Sequence, residues 1–215
     1  MIDRYQTIVF DCDGVILNSN KVKTDAFFQA ALPYGEELAN ALVRFHVENG
    51  GISRYVKFKH FLDDIVPEGA KGPALKELLI SYAQKVRAGL LECDVTPGLD
   101  DLRQASGQAR WLVASGGDQG ELREVFAERG LDTLFDGGIF GSPDAKDDIL
   151  ARELTEREQS PATLFVGDSR YDHVVSQKFG LEFVFVTQWT EFYDWKSYSE
   201  ENVVFTVTEP YCLLL

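Results

Sequence analysis

The chain has 215 residues, enough for one substantial core or for a core with a smaller appended unit. It carries 35 acidic against 21 basic side chains, a net charge of −14, and a field of that sign repels nucleic-acid backbones and anionic membranes. With 45% hydrophobic and 26% charged residues, the composition is that of an ordinary soluble globular protein.

Residues 7–10 form an apolar run that reads as a short buried strand and ends abruptly at Asp11 and Asp13. Carboxylates at the end of a buried strand are costly unless they are paired, hydrogen-bonded or bound to a metal. Two positions apart on extended backbone they share a face, and Gly14 lets the chain turn sharply beside a ligand. A plain polar turn is the competing reading of Asp-x-Asp-Gly. A calcium loop is excluded, because its fifth and sixth places hold Val15 and Ile16.

Four amphipathic helices are expected next. Val22, Ala26, Phe27, Ala30 and Ala31 fall at helical spacing, as do Leu38, Ala41, Leu42 and Phe45 after a break at Pro33-Tyr34-Gly35. Ser53 caps a third helix and Pro73 opens a fourth carrying Leu75, Leu78, Leu79, Tyr82 and Val86. Without a strand between them, these helices predict a small bundle.

From Pro97 onward helices and strands alternate. Helices are expected at 99–105, 121–129, 146–154 and 171–179, and strands at 110–114, 138–140, 163–166 and 183–187. That rhythm predicts parallel β-α-β units in a doubly wound sheet, with the first strand belonging to it and the helical block inserted after that strand. The expected division is 1–16 and 93–215 for the α/β core and 17–92 for the helical unit. The tail, with a strand-like stretch at 203–207, should cover a sheet edge. Cys12, Cys93 and Cys212 are odd in number and far apart, which suggests neither a disulfide framework nor a zinc site. With no leader pattern and no membrane-length apolar run, a cytoplasmic enzyme is the expectation.

In open α/β sheets ligands bind beyond the carboxyl ends of the strands, and three later strands end in polar residues. Ser115-Gly116-Gly117 offers a hydroxyl and backbone N–H groups suited to phosphate oxygens, or else a plain turn. Lys146 opens a helix, where the dipole disfavours a cation, so it either reaches solvent or has an anionic partner. Asp168 comes straight off a strand, and Asp172 follows one helical turn later.

In this order the four segments, 11–15, 113–117, 141–146 and 166–172, resemble the motifs of the haloacid dehalogenase-like superfamily, within it the phosphoglycolate phosphatase and β-phosphoglucomutase branch. The resemblance implies a Rossmann-like core with the family's first type of helical cap. It implies that Asp11 is a nucleophile that becomes an aspartyl phosphate, and that Asp13 is the acid and base, with a raised pKa. It further implies that Asp11 and Asp168 bind Mg²⁺ with the backbone carbonyl of Asp13, and that Asp172 acts nearby. Ser115, with the N–H groups of Cys12, Asp13 and Gly116, would hold phosphoryl oxygens, and Lys146 would balance charge. Two carboxylates ~4 Å apart repel by roughly 4 kcal/mol at an effective dielectric of about 20, so the cations are needed.

An acid at position 13 favours phosphate-ester chemistry over dehalogenation. The expected substrate is a small phosphorylated metabolite, such as phosphoglycolate or a sugar phosphate, handled by a monomer or weak homodimer. A phosphosugar mutase and a non-catalytic phosphometabolite-binding protein are the alternatives. Gly50-Gly51-Ile52-Ser53-Arg54 resembles the branch's specificity loop, making Arg54 the substrate-binding candidate, with Lys57 and Lys59 behind it; all three could instead form a solvated helix face. Asn18 departs from the family's usual Asp, and His46, His60 and His173 are expected at the periphery.

Overall fold

The computed structural model describes residues 2–160 and 162–214. Strand β1 (Thr7–Phe10) is followed by helices α1 (Asn20–Ala31), α2 (Glu36–Glu48), α3 (Arg54–His60) and α4 (Leu75–Glu92). The alternating part then runs α5 (Leu99–Ala105), β2 (Arg110–Asp118), α6 (Gln119–Glu128), β3 (Gly138–Ser142), α7 (Lys146–Glu153), β4 (Thr163–Gly167), α8 (Arg170–Lys178) and β5 (Glu182–Val186), with α9 (Trp195–Glu201) and β6 (Phe205–Val207) closing the chain. All six strands are parallel, in the order β3-β2-β1-β4-β5-β6. This is the doubly wound α/β fold expected from the pattern, and its order reverses between β1 and β4, where such sheets bind ligands.

β1 is an unbroken apolar run because both of its faces are covered. Ile8 and Phe10 pack with Trp111 and Val113 and with Leu122, Val125 and Phe126 of α6. Val9 faces the other way, with Leu112, Ala114 and Phe165 and with Ile149, Leu150 and Val175 of α7 and α8. Each such side chain stabilises the fold by about 1.5–3 kcal/mol as an upper figure.

The helical block buries one stripe of α4, Leu78, Tyr82, Val86 and Leu90, four residues apart. It lies against Ala26, Phe27 and Ala30 of α1. A Cβ at Gly89 would stand 2.3 Å from Val22, so only glycine allows α1 and α4 this approach. The two connections to the sheet lie side by side: Asn18 N donates to Asp94 O at 2.9 Å, and Thr96 N donates to Ile16 O at 2.8 Å.

Two local expectations are corrected. β2 does not stop at Ala114 but continues to Asp118, with a register shift against β3 between those residues. The Ser-Gly-Gly stretch is therefore irregular strand rather than turn, kept extended by Ser142, whose Oγ donates to the carbonyls of Gly116 and Gly117 at 3.1 and 3.0 Å. The third helix passes into a wide π-helical turn over Phe61–Ile65. The tail does cover a sheet edge, as the short strand β6 beside β5.

Candidate active site

Parallel register places the ends of β1 and β4 side by side, Phe10 opposite Val166, so that Asp11 and Asp168 emerge at the switch point. Asp11 is buried, and its Oδ1 accepts from the N–H of Cys12 at 2.7 Å. Its Oδ2 meets Lys146 Nζ at 2.9 Å, and the same ammonium meets Asp172 Oδ1 at 2.5 Å. Lys146 is 1% exposed, so the lysine at the helix entrance has anionic partners rather than a path to solvent. Asp172 is fixed from its other oxygen by the Oγ and N–H of Ser169, at 2.7 and 3.1 Å, a reciprocal cap on α8. Asp168 Oδ2 accepts from Asn20 Nδ2 at 2.7 Å. A Cβ on Gly14, whose φ is +76°, would fall 2.0 Å from that oxygen, so only glycine can stand at this turn.

Burial pushes Asp11 up to about 7, against the pull of Lys146 and with help from Asp172 and Asp13. Burial, then Asp11 and Asp172, push Asp168 far above the carboxylate range. For Lys146 burial acts downward, but Asp11 and Asp172 outweigh it and keep the ammonium charged.

Asp13 differs from the expectation of a raised pKa. Burial would raise it, but the Lys23 ammonium, then the Ser19 hydroxyl and Lys146, hold it below the ordinary range. Lys23 of α1 pairs with Asp13 Oδ2, and Ser19 Oγ donates to Oδ1 at 2.6 Å. Ser115, fully buried, has its Oγ 3.4 Å from Asp13 Oδ2 and accepts from the N–H of Gly117 at 3.0 Å. Cys12 turns its thiol into the core.

A cavity of about 290 Å³ opens above these groups, walled on the helical side by Lys23, Phe27, His46, Arg54, Lys57 and Tyr82. The backbone of Gly116 approaches the loop before α3 so closely that a Cβ would stand 2.3 Å from Gly51 O. Arg54 is 5% exposed, stacks on Tyr82 at 4.5 Å and forks onto Glu121 of α6 at 2.5 and 3.2 Å. It is thus no solvated helix residue, and its strong donors are already engaged. Lys57 is also buried, whereas Lys59 alone of the three faces solvent. The histidines are not all peripheral: His46 lines the cavity, and His173 is buried with its Nδ1 2.8 Å from the Tyr198 hydroxyl. His60 pairs with Asp64 near the surface.

The family model for haloacid dehalogenase-like hydrolases matches residues 5–173. The chain belongs to this family. No curated protein matches it. Among solved structures it is similar to the haloacid dehalogenase-like hydrolase family protein SP0104 from Streptococcus pneumoniae, at 20% identity over 98% of this chain and 97% of that one, with a TM-score of 0.69. It is similar to YfnB from Bacillus subtilis, crystallised with magnesium, at 18% identity over 98% and 97%, TM-score 0.65. A predicted phosphoglycolate phosphatase from Haemophilus somnus shares 17% identity over 86% of each chain, TM-score 0.63. Likeness at this level establishes the fold.

In this haloacid dehalogenase-like hydrolase the donor set fits a hard divalent cation. Asp11, Asp168 and Asp172 each offer a carboxylate oxygen, all within 4.8 Å of one another. One lysine among three buried acids leaves negative charge uncompensated, most plainly at Asp168, which among the described residues has no ion pair. The fold brings Asp11, Asp13, Ser115, Lys146, Asp168 and Asp172, all candidates from the sequence, to one place. Sequence reasoning missed Ser19, Asn20 and Lys23 of the first connection and helix, and Glu121 opposite Arg54. A signal existed for Lys23, a cation among the core-facing positions Val22, Ala26 and Phe27.

Proposed function

We propose that this hydrolase is a phosphatase that cleaves a small phosphomonoester through an aspartyl phosphate on Asp11. The observation that carries the proposal is the convergence of Asp11, Asp168, Asp172 and Lys146 at the switch point of the sheet. Asp11 attacks phosphorus with the oxygen not held by the Cys12 N–H, while Lys146 offsets the charge that spreads over the phosphoryl oxygens. Asp11, Asp168 and the carbonyl of Asp13, with Asp172 beside them, would hold Mg²⁺, which would supply further charge neutralisation. Asp172 also positions Lys146, since it fixes that ammonium from the second side.

Asp13 stands in its base form, suited to taking a proton from the water that hydrolyses the aspartyl phosphate. In the first half-reaction it takes up a proton from solvent as substrate entry loosens the Lys23 contact and passes that proton to the leaving alcohol, which returns it to the base form for the water step. Ser115 holds a phosphoryl oxygen. Residues 17–92 act as a cap over the site, with Arg54 clamping it to α6 through Glu121.

The test is phosphate release from p-nitrophenyl phosphate by the purified protein. Release that stops on adding a chelator and returns with Mg²⁺ is expected. Absence of release from this and other phosphomonoesters rejects the reading, and an isomerised phosphosugar in place of free phosphate would make the protein a mutase.

A further inference from the structure

Lys57 has no part in the chemistry above, yet it is 1% exposed and lines the same cavity. Its Nζ meets His46 Nδ1 at 2.6 Å and the His46 carbonyl at 3.3 Å. Among the described residues no carboxylate pairs with it, whereas Lys23, Arg54 and Lys146 on the same cavity or its floor all have one. Glu191 lines the cavity too, but its Oε2 accepts from Thr24 Oγ at 2.6 Å and it makes no ion pair with Lys57. An ammonium has only protons to give, so His46 Nδ1 accepts and the ring's own proton belongs on Nε2. That Nε2 is buried without a hydrogen-bond partner.

We infer that the alcohol half of the substrate is a sugar acid, whose carboxylate is held by Lys57 while its phosphate lies at Asp11. This rests on the phosphatase reading of Asp11 and goes beyond it in naming the substrate class. Charge matching selects a carboxylate over a second phosphate. One ammonium beside a neutral imidazole offers a single positive charge, which matches a monoanion and leaves a dianion under-compensated. Burial, then Lys23, bring the Lys57 amine down to about 7, and an arriving anion offsets that cost. The intervening wall suits a polyol chain. Phe27 and Tyr82 present ring surface to carbon, and about 290 Å³ is room for roughly ten waters at ~30 Å³ each, more than a two-carbon acid needs beside its phosphate.

The experiment compares two esters that differ only at one end, 6-phosphogluconate and sorbitol 6-phosphate, with p-nitrophenyl phosphate as the measure of Asp11 chemistry. Wild-type kcat/KM should favour the acid by roughly tenfold to a hundredfold. Lys57→Met should collapse that ratio toward one, Lys57→Arg should restore part of it, and Lys59→Met should leave it unchanged. Free gluconate should compete with p-nitrophenyl phosphate in the wild-type protein more strongly than sorbitol does, a measurement that needs no variant to fold. Equal handling of the two esters, or a preference that survives in Lys57→Met, overturns the inference while leaving the phosphatase reading intact. Preference for fructose 1,6-bisphosphate over 6-phosphogluconate overturns the carboxylate assignment. Failure to release phosphate from any of these esters rejects the phosphatase reading itself and this inference with it.

Discussion

At the floor of the cavity Lys146 sits between Asp11 and Asp172, fully buried and fully paired. On the helical wall Lys57 sits as deep, but against a neutral imidazole and with no acid. The same side chain at the same depth has opposite energetics in the two places. A buried charge that completes a pair is needed by its partners, whereas one left open is carried at a cost, and that cost is retained where a ligand relieves it. The floor is built for charges that are always present, and the wall for one that arrives with substrate.

Substitutions can break this contrast or sharpen it. The largest effect should come from Asp11→Asn, which keeps the shape of the floor but removes the nucleophile; phosphate release should fall by about 10³-fold or more, with an unchanged circular dichroism spectrum. Lys146→Met leaves two buried carboxylates facing each other and should lower stability by about 3–5 kcal/mol in urea unfolding. Arg54→Met leaves Glu121, a less deeply buried acid, without its fork and should cost about 2–3 kcal/mol in the same measurement.

Lys57→Met should do the reverse and raise the melting temperature of the ligand-free protein. The folded pKa of Lys57, about 7, lies below the ordinary 10.5, so burying its charge destabilises the fold most below pH ~7, and the penalty fades as pH rises toward ~10.5. The gain from the substitution should therefore be larger near pH ~6 than near pH ~9. Destabilisation at both would show that Lys57 is tied into the wall as firmly as Lys146 is into the floor.

The floor was legible in the amino-acid order. Asp11 and Asp168 each come off the end of an apolar run, and in a parallel sheet the carboxyl ends of neighbouring strands meet at one edge, so the two converge once the strands are identified. Lys146 was readable because a cation at a helix entrance needs an explanation. The wall was not legible in this way. Arg54 drew attention through its loop, but its partner Glu121 lies 67 residues away on another element. Lys57 looks like a solvent-facing lysine of an amphipathic helix until neighbouring helices cover it, and Lys23 is marked only by its place among core-facing residues, with nothing local to name its partner. The missed continuation of β2 has a similar cause, since Ser-Gly-Gly reads as a turn and is kept extended by hydrogen bonds from Ser142, 25 to 26 residues on.

The chain order by itself determined the doubly wound sheet, the place of the acids at its edge and the family, because apolar periodicity and strand-end chemistry are local properties. Tertiary structure alone decided which charges find partners. It set Lys23 on Asp13 and so kept that acid ionised, closed Arg54 onto Glu121, and left Lys57 with only an imidazole. Electrostatic pairing is a matter of distance and desolvation between elements far apart in sequence, and no local pattern contains it.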